Sequence, residues 1–316
     1  MEIIAFLEKY IIIIINKFMR KYMSKRILLF ILTNLAVMVT LGIVASIFGV
    51  TGYLGQNGIN YTKLFGFSLI FGFGGAFISL LMSKWIAKFS MGVKLIDPSN
   101  PLSQDEKWLI NVIQNQSNKL NITMPEVGVY NSPEMNAFAT GPTRNNALVA
   151  LSTGILERMN RDEIEAVIGH EMSHVANGDM VTTTLLQGVL NTFVIFFSRV
   201  ISFIIDTALR GNRSDGGTSF VYIICTIIFD ILFGALSSLI LAYHSRNREF
   251  KADFGGATLG TKDGMIKALA KLGGETYNQP KAGIQALCIS SKSSFIQLFS
   301  THPPIEDRIN ALKNIR

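Results

Sequence analysis

Four long apolar runs constrain this chain more than anything else in it. Residues 27–50 carry no charge, which meets the roughly 20-residue requirement for a helix crossing a hydrocarbon core. Residues 64–82 are equally free of charge and end in Lys84, Trp85 and Lys88, the pattern of an interfacial anchor. Gly66, Gly72, Gly74 and Gly75 lie inside this second run, where close helix packing explains them better than a phosphate loop. Residues 185–205 are interrupted by Gln187, Asn191 and Arg199, and residues 220–243 by Asp230. Charges inside a span are costly unless paired, so Arg199 and Asp230 are expected to face each other across a helical hairpin. The other reading has Arg199 snorkelling from a run that only dips into the bilayer.

Only 16% of the residues are charged and 49% are hydrophobic, a balance that points to a lipid bilayer as the chain's surroundings. The net charge of +7 does not indicate nucleic acid, because the basic residues form no stripe with interleaved aromatics. Many of them flank the apolar runs. Lys17, Arg20, Lys21, Lys25 and Arg26 precede the first run, and Lys63 is the one basic residue in the loop that follows it. That asymmetry puts the N-terminus, and with four spans the polar regions too, on the cytoplasmic side. The two cysteines, Cys225 and Cys288, have neither disulfide-framework nor metal-site spacing.

The expected organisation is an interfacial N-terminal extension (1–25) and two transmembrane helices (26–90). A first polar part (91–180), a membrane hairpin (181–243) and a second polar part (244–316) follow. The polar parts have an α+β texture. Ser103 and Glu106 make a capping box for a helix, and short strands are expected at 126–130, 137–140 and 147–151. Further helices are expected at 154–159, 262–272 and 305–315.

Chemistry concentrates after Asn160, which can cap a helix with Asp162 and Glu163 in its first turn. That helix contains His170, Glu171, Met172, Ser173 and His174. Residues four apart share a helix face, so both imidazoles can reach one zinc ion at about 2.0–2.1 Å. Glu171 lies beside that face and can take a proton from an attacking water. The chain has only four histidines, so chance is a poor explanation, although two surface histidines on an amphipathic helix are the bland one.

Catalytic zinc usually has three protein ligands. His244, Glu249, Asp253 and His302 are the candidates for the third. Glu249 is preferred because it and Asp253 lie four apart on one helix face, so one acid can bind metal while the other accepts from a ligand histidine. A hairpin between residues 185 and 243 returns the chain to its starting point, so the long gap from His174 does not separate the ligands in space.

The segments 168–179 (IGHEMSHVANGD) and 245–253 (SRNREFKAD) resemble the HtpX family of bacterial membrane zinc metalloproteases, relatives of the eukaryotic CAAX prenyl proteases. Segments 136–141 (NAFATG), 301–308 (THPPIEDR) and 32–37 (LTNLAV) are similar too, and the likeness runs from about Arg26 to the C-terminus. The resemblance implies a gluzincin-type fold with one Zn2+ on His170, His174 and Glu249. It implies Glu171 as general base, Asp253 behind a ligand, and His302 and Arg308 near the oxyanion. Asn136, Ala137, Phe138 and Ala139 would form the edge strand that receives substrate. His302 before two prolines can equally be a helix-start residue.

It further implies a multi-pass enzyme of the bacterial cytoplasmic membrane acting on unfolded or misfolded polypeptides, with membrane proteases or chaperones as candidate partners. Residues 1–25 have no counterpart in the family, so Met19 and Met23 are alternative starts. A membrane metal-binding or transport protein, an inactive scaffold of the same fold, and a CAAX-type processing enzyme are the competing readings. A transporter would carry its histidines and acids within the spans. A processing enzyme would need more spans than this chain holds.

Overall fold

The computed structural model describes residues 25–55, 58–100, 102–210, 219–278 and 300–314. Residues 1–24 of the expected extension, residues 211–217 between the third and fourth apolar runs, and Cys288 lie outside these.

The apolar runs form four helices: α1 (Lys25–Ile47), α2 (Tyr61–Met91), α6 (Asp179–Arg210) and α7 (Phe220–Leu259). By length and composition, α2, α6 and α7 can each cross a membrane, whereas the described apolar stretch of α1, Leu35–Ile47, is shorter. Large apolar side chains such as Leu81, Phe193, Ile227 and Ile231 point outward from these helices, as a lipid-facing surface requires. A two-strand ribbon, β1 (Leu54–Gly55) and β2 (Gly58–Ile59), joins α1 to α2.

The glycines of α2 do serve close packing. A Cβ on Gly72 would lie 2.3 Å from Thr192 Oγ1 of α6, and one on Gly74 would lie 2.5 Å from Leu41 of α1. Gly75 departs from that expectation, since a Cβ there would meet nothing within 4 Å. Lys84 and Lys88, at the end of that run, also reach the sheet. Lys84 pairs with Glu126 at 3.1 Å and donates to Asn146 Oδ1 at 2.7 Å, and Lys88 pairs with Glu126 too. At 31 residues α2 is about 46 Å long, more than a bilayer core needs, so its end is free to brace the sheet.

Arg199 and Asp230 meet at 2.6 Å, joining α6 to α7. Neutralising either alone leaves a lone charge among apolar helices, which costs about 3 kcal/mol. Arg199→Leu and Asp230→Leu should therefore each lower thermal stability in detergent more than the double substitution does. Equal losses in all three would mean that the charges do not support one another.

The polar part is built on a four-stranded sheet of β3 (Lys94–Leu95), β4 (Glu126–Tyr130), β5 (Ala137–Thr143) and β6 (Asn146–Ser152), in the order β3-β4-β6-β5. β4 and β6 are parallel, while β3 and β5 run antiparallel to their neighbours. From Ala147 to Ser152 every residue of β6 is buried, as befits a central strand. Its neighbours in the core come from α3 (Gln104–Leu120), α4 (Thr153–Arg158) and α5 (Arg161–Asn177), with Ile113, Val149, Leu151, Ile155, Ile168 and Met172 fully enclosed. α8 (Lys262–Asn278) and α9 (Ile305–Lys313) close the far side through Ala166, Met265, Leu269 and Leu312. The expected capping box of Ser103 and Glu106 is formed.

The fourth apolar run holds the main surprise. Instead of ending near Tyr243, its helix continues unbroken to Leu259, 40 residues and about 60 Å. The polar stretch from His244 to Lys251 changes composition but contains no glycine or proline to stop a helix. Glu249 and Asp253 therefore sit on the rigid continuation of a membrane helix.

Candidate active site

α5 begins as the sequence predicts. Asn160 accepts from the Glu163 backbone N–H while the Glu163 carboxylate accepts from that of Asn160, a complete capping box. The helix ends at Gly178, whose left-handed φ of 67° turns the chain sharply into α6. That turn brings Asp179 back over the last turn of α5, with its Oδ2 2.6 Å from His174 Nδ1.

α7 crosses α5 at very short range. A Cβ on Gly255 would lie 1.8 Å from Ser173 Oγ, and one on Gly256 would lie 2.7 Å from the Ala166 carbonyl oxygen. Glycine at these positions lets the helices approach closely enough for Glu249 to reach the histidines. His170 Nε2 and His174 Nε2 lie 3.2 Å apart, and the Glu249 carboxylate oxygens stand 3.6 and 3.5 Å from them. All three side chains thus offer ligand atoms within 4.8 Å of one another. Tetrahedral ligands at zinc distances are separated by about 3.4 Å, so the spacing fits such an ion.

Their hydrogen bonding makes the same case chemically. His170 Nδ1 lies 3.0 Å from Asp253 Oδ1, just as His174 Nδ1 faces Asp179. In the neutral form of each ring, the carboxylate acceptor fixes the proton on Nδ1 and leaves Nε2 as the lone pair available to a metal. Glu249 Oε2 is enclosed and has no hydrogen bond of good geometry, although His302 Nδ1 is 2.9 Å away and Arg308 Nη1 3.3 Å. Two lone pairs and a carboxylate converging in a buried space call for a cation. Burial disfavours a charged His174 ring, but hydrogen bonds to Asp179 and Glu249 outweigh it and hold its pKa up at about 9, so a cation that binds Nε2 has to displace a proton from this ring.

Behind the ligands, Arg308 of α9 grips Asp253 with both Nε and Nη2, at 2.7 and 2.6 Å. Arg308 therefore fixes Asp253, and through it His170, while its Nη1 stays beside Glu249 at the ligand cluster. His302 stands at the rim, 63% exposed by its side chain. The N-cap of α9 is Pro304, so His302 is not the helix-start residue. His244, the other histidine weighed as a ligand, is not part of the cluster.

Glu171 is half-buried on α5, and its charge bears on His174, Arg308 and Tyr130. Burial first, and then the negative charge of Glu171, push the Tyr130 hydroxyl up to about 12. That hydroxyl donates to the Asn136 carbonyl oxygen at 3.2 Å, which ties the start of β5 to the site. β5 is the sheet's outer strand, paired only with β6 among the described residues, and it packs against α2, α5 and α6. Ala139 of β5, His174, Glu249 and Asp179 all line one cavity of about 560 Å³.

The sequence reading missed Asp179 and Arg248. Arg248 donates to the Asp179 backbone carbonyl at 2.7 Å, and its Nη1 lies 3.7 Å from the Asp179 carboxylate. Asp179 lies five residues from His174, beyond the helix cap, where no i,i+4 rule points to it. A second carboxylate for the second imidazole was the available signal.

Residues 103–316 match the family model "Peptidase family M48". The chain is 54% identical to "Protease HtpX homolog" of Paracidovorax citrulli over 292 residues, which is 92% of this chain and 99% of that protein. It is 49% identical to "Protease HtpX" of Aeromonas hydrophila over 294 residues, again 92% of this chain and 99% of the other. Among solved structures, S. mikatae Ste24p superposes with a TM-score of 0.55 at 18% identity, which shows a shared fold. The superposition covers 89% of this chain and 66% of that one. With the His170–His174–Glu249 cluster seated between membrane-length helices, these matches make the chain a member of peptidase family M48, in its HtpX group, and a membrane-bound metalloprotease.

Proposed function

We propose that this protein is a zinc endopeptidase that cuts unfolded or misfolded polypeptides, membrane proteins among them, in protein quality control. It would work in the bacterial cytoplasmic membrane with its site on the cytoplasmic side. The observation that carries the reading is the convergence of His170, His174 and Glu249 beside Glu171 and the outer strand β5. The basic residues ahead of α1 support the orientation.

His170, His174 and Glu249 would hold the ion. Bound zinc supplies Lewis acidity, polarising a peptide carbonyl and lowering the pKa of water to about 7. Glu171 takes the proton of the attacking water and returns it to the leaving amine. Asp253 and Asp179 keep each ligand imidazole in the tautomer with Nε2 free, and Arg308 holds Asp253 in place. His302, exposed beside Glu249, would donate to the developing oxyanion. The substrate adds a strand along residues 136–139, which aligns its backbone before the cut.

Stripping the detergent-purified protein with a chelator should abolish cleavage of an unfolded test protein. One equivalent of zinc per chain should restore it, with bound metal measured alongside. Cleavage that survives complete metal removal would overturn the reading.

A further inference from the structure

α2 and α6 run side by side and touch tightly at one level, where Gly72 meets Thr192 and a Cβ on Gly188 would lie 2.5 Å from the Phe73 ring. Toward the metal ligands they part. From Gly75, which has open space in front of it, the cavity of about 560 Å³ runs up to His174, Glu249 and Ala139. Its volume is in the range of ligand sites, roughly 300–1,000 Å³. Along α6 it reaches from Asp179 to Asn191, twelve residues or about 18 Å of helix. The metal site therefore opens into a groove within the end of two membrane-length helices.

The groove is unexpectedly polar for that position. Ser79 and Ser83 line it from α2, Gln187 and Asn191 from α6, and Arg248 from α7. Gln187 Nε2 donates to Asn191 Oδ1 at 2.6 Å, which spends one donor and one lone pair of two amides that have several of each. Ser83 Oγ and Arg248 Nε are enclosed without any partner. Such groups are costly between apolar helices unless something polar fills the space. A peptide backbone has the matching need. At membrane depth an unwound chain is tolerated only where protein or a water-filled cavity satisfies its N–H and C=O groups. Paired side-chain amides, each with donors and an acceptor, suit backbone of any sequence.

We propose that this groove holds an unwound stretch of a membrane-anchored substrate, on the side of the scissile bond nearest the substrate's own membrane helix. At 3.3 Å per extended residue, 18 Å of groove admits about five residues. The enzyme can then cut within a few residues of where that helix ends. The inference rests on the peptidase reading above and adds where, on a membrane substrate, the cut can fall.

The test substrate is a single transmembrane helix followed by an unstructured linker, incubated in detergent with the zinc-loaded enzyme, with cut positions mapped by mass spectrometry. Wild type should cut next to the helix. Gly75→Phe fills the groove, and Gln187→Leu with Asn191→Leu removes its hydrogen-bonding groups. In each, the innermost cut should move outward by about five residues while outer cuts and zinc content persist. As a second measurement, a photoreactive side chain at position 191, placed in the Glu171→Gln background, should cross-link to substrate residues on the membrane side of the scissile bond. An innermost cut that stays put in both variants, or cross-links confined to the other side, would overturn the proposal. A wild type that cuts nowhere would instead sink the peptidase reading, and this inference with it.

Discussion

Replacing Glu171 with glutamine is expected to leave zinc bound and to lower cleavage of an unfolded protein by about 10³-fold. The substitution keeps volume and polarity but removes the basicity that accepts a proton from water. Glu171 belongs neither to the ligand cluster nor to the Asp253 and Asp179 contacts that orient the imidazoles. The metal site should therefore survive the change. Elemental analysis of the purified variant, set beside its kcat on the same substrate, separates the two functions. A variant that loses its zinc would show that Glu171 helps to build the site. A variant that retains both zinc and wild-type turnover would remove Glu171 from the chemistry.

The centre of the site was legible because one helix carries its own spacing rule. His170 and His174 are four apart on a helix whose cap, first-turn acids and apolar stripe are all local signals. Glu249 and Asp253 repeat that spacing on α7, and both prove buried. Placing them beside α5 needed one further step, the recognition that a hairpin closes the sequence gap. What was not legible depends on how helices cross. Asp179 reaches His174 only through the left-handed turn at Gly178, and Arg308 reaches Asp253 from a helix 55 residues further on. The groove is harder still. Of the four glycines in the second apolar run, three pack against neighbours and Gly75 faces open space, and composition does not distinguish them. The strands at 126–130, 137–140 and 147–151 were readable from short β-rich runs, whereas the sheet order that leaves β5 at the edge is a matter of tertiary pairing.

Asp253→Asn should weaken zinc binding by 10- to 100-fold, as is usual when the partner of a ligand histidine is lost, and should destabilise the fold by about 3–5 kcal/mol. Asp253 uses its two oxygens on three donors, His170 Nδ1 and the Nε and Nη2 of Arg308, from two other helices. Asparagine keeps the shape but has a single acceptor oxygen. Its NH2 group must then face either a ring N–H or a guanidinium, and in both cases donor meets donor. If the oxygen goes to Arg308, His170 loses the acceptor that keeps its proton on Nδ1, and Nε2 is no longer held free as a ligand. If it goes to His170, a nearly buried guanidinium is left half-paired. Adding Arg308→Met to Asp253→Asn removes that stranded charge. The double variant should regain part of the lost stability, read as thermal unfolding in detergent, without regaining zinc affinity, read by competition with a chromogenic chelator. Stability and affinity are then separable. Joint recovery would mean that Asp253 supports the site only by holding α9 in place, whereas an unchanged affinity in the single variant would deny it any part in setting the tautomer of His170.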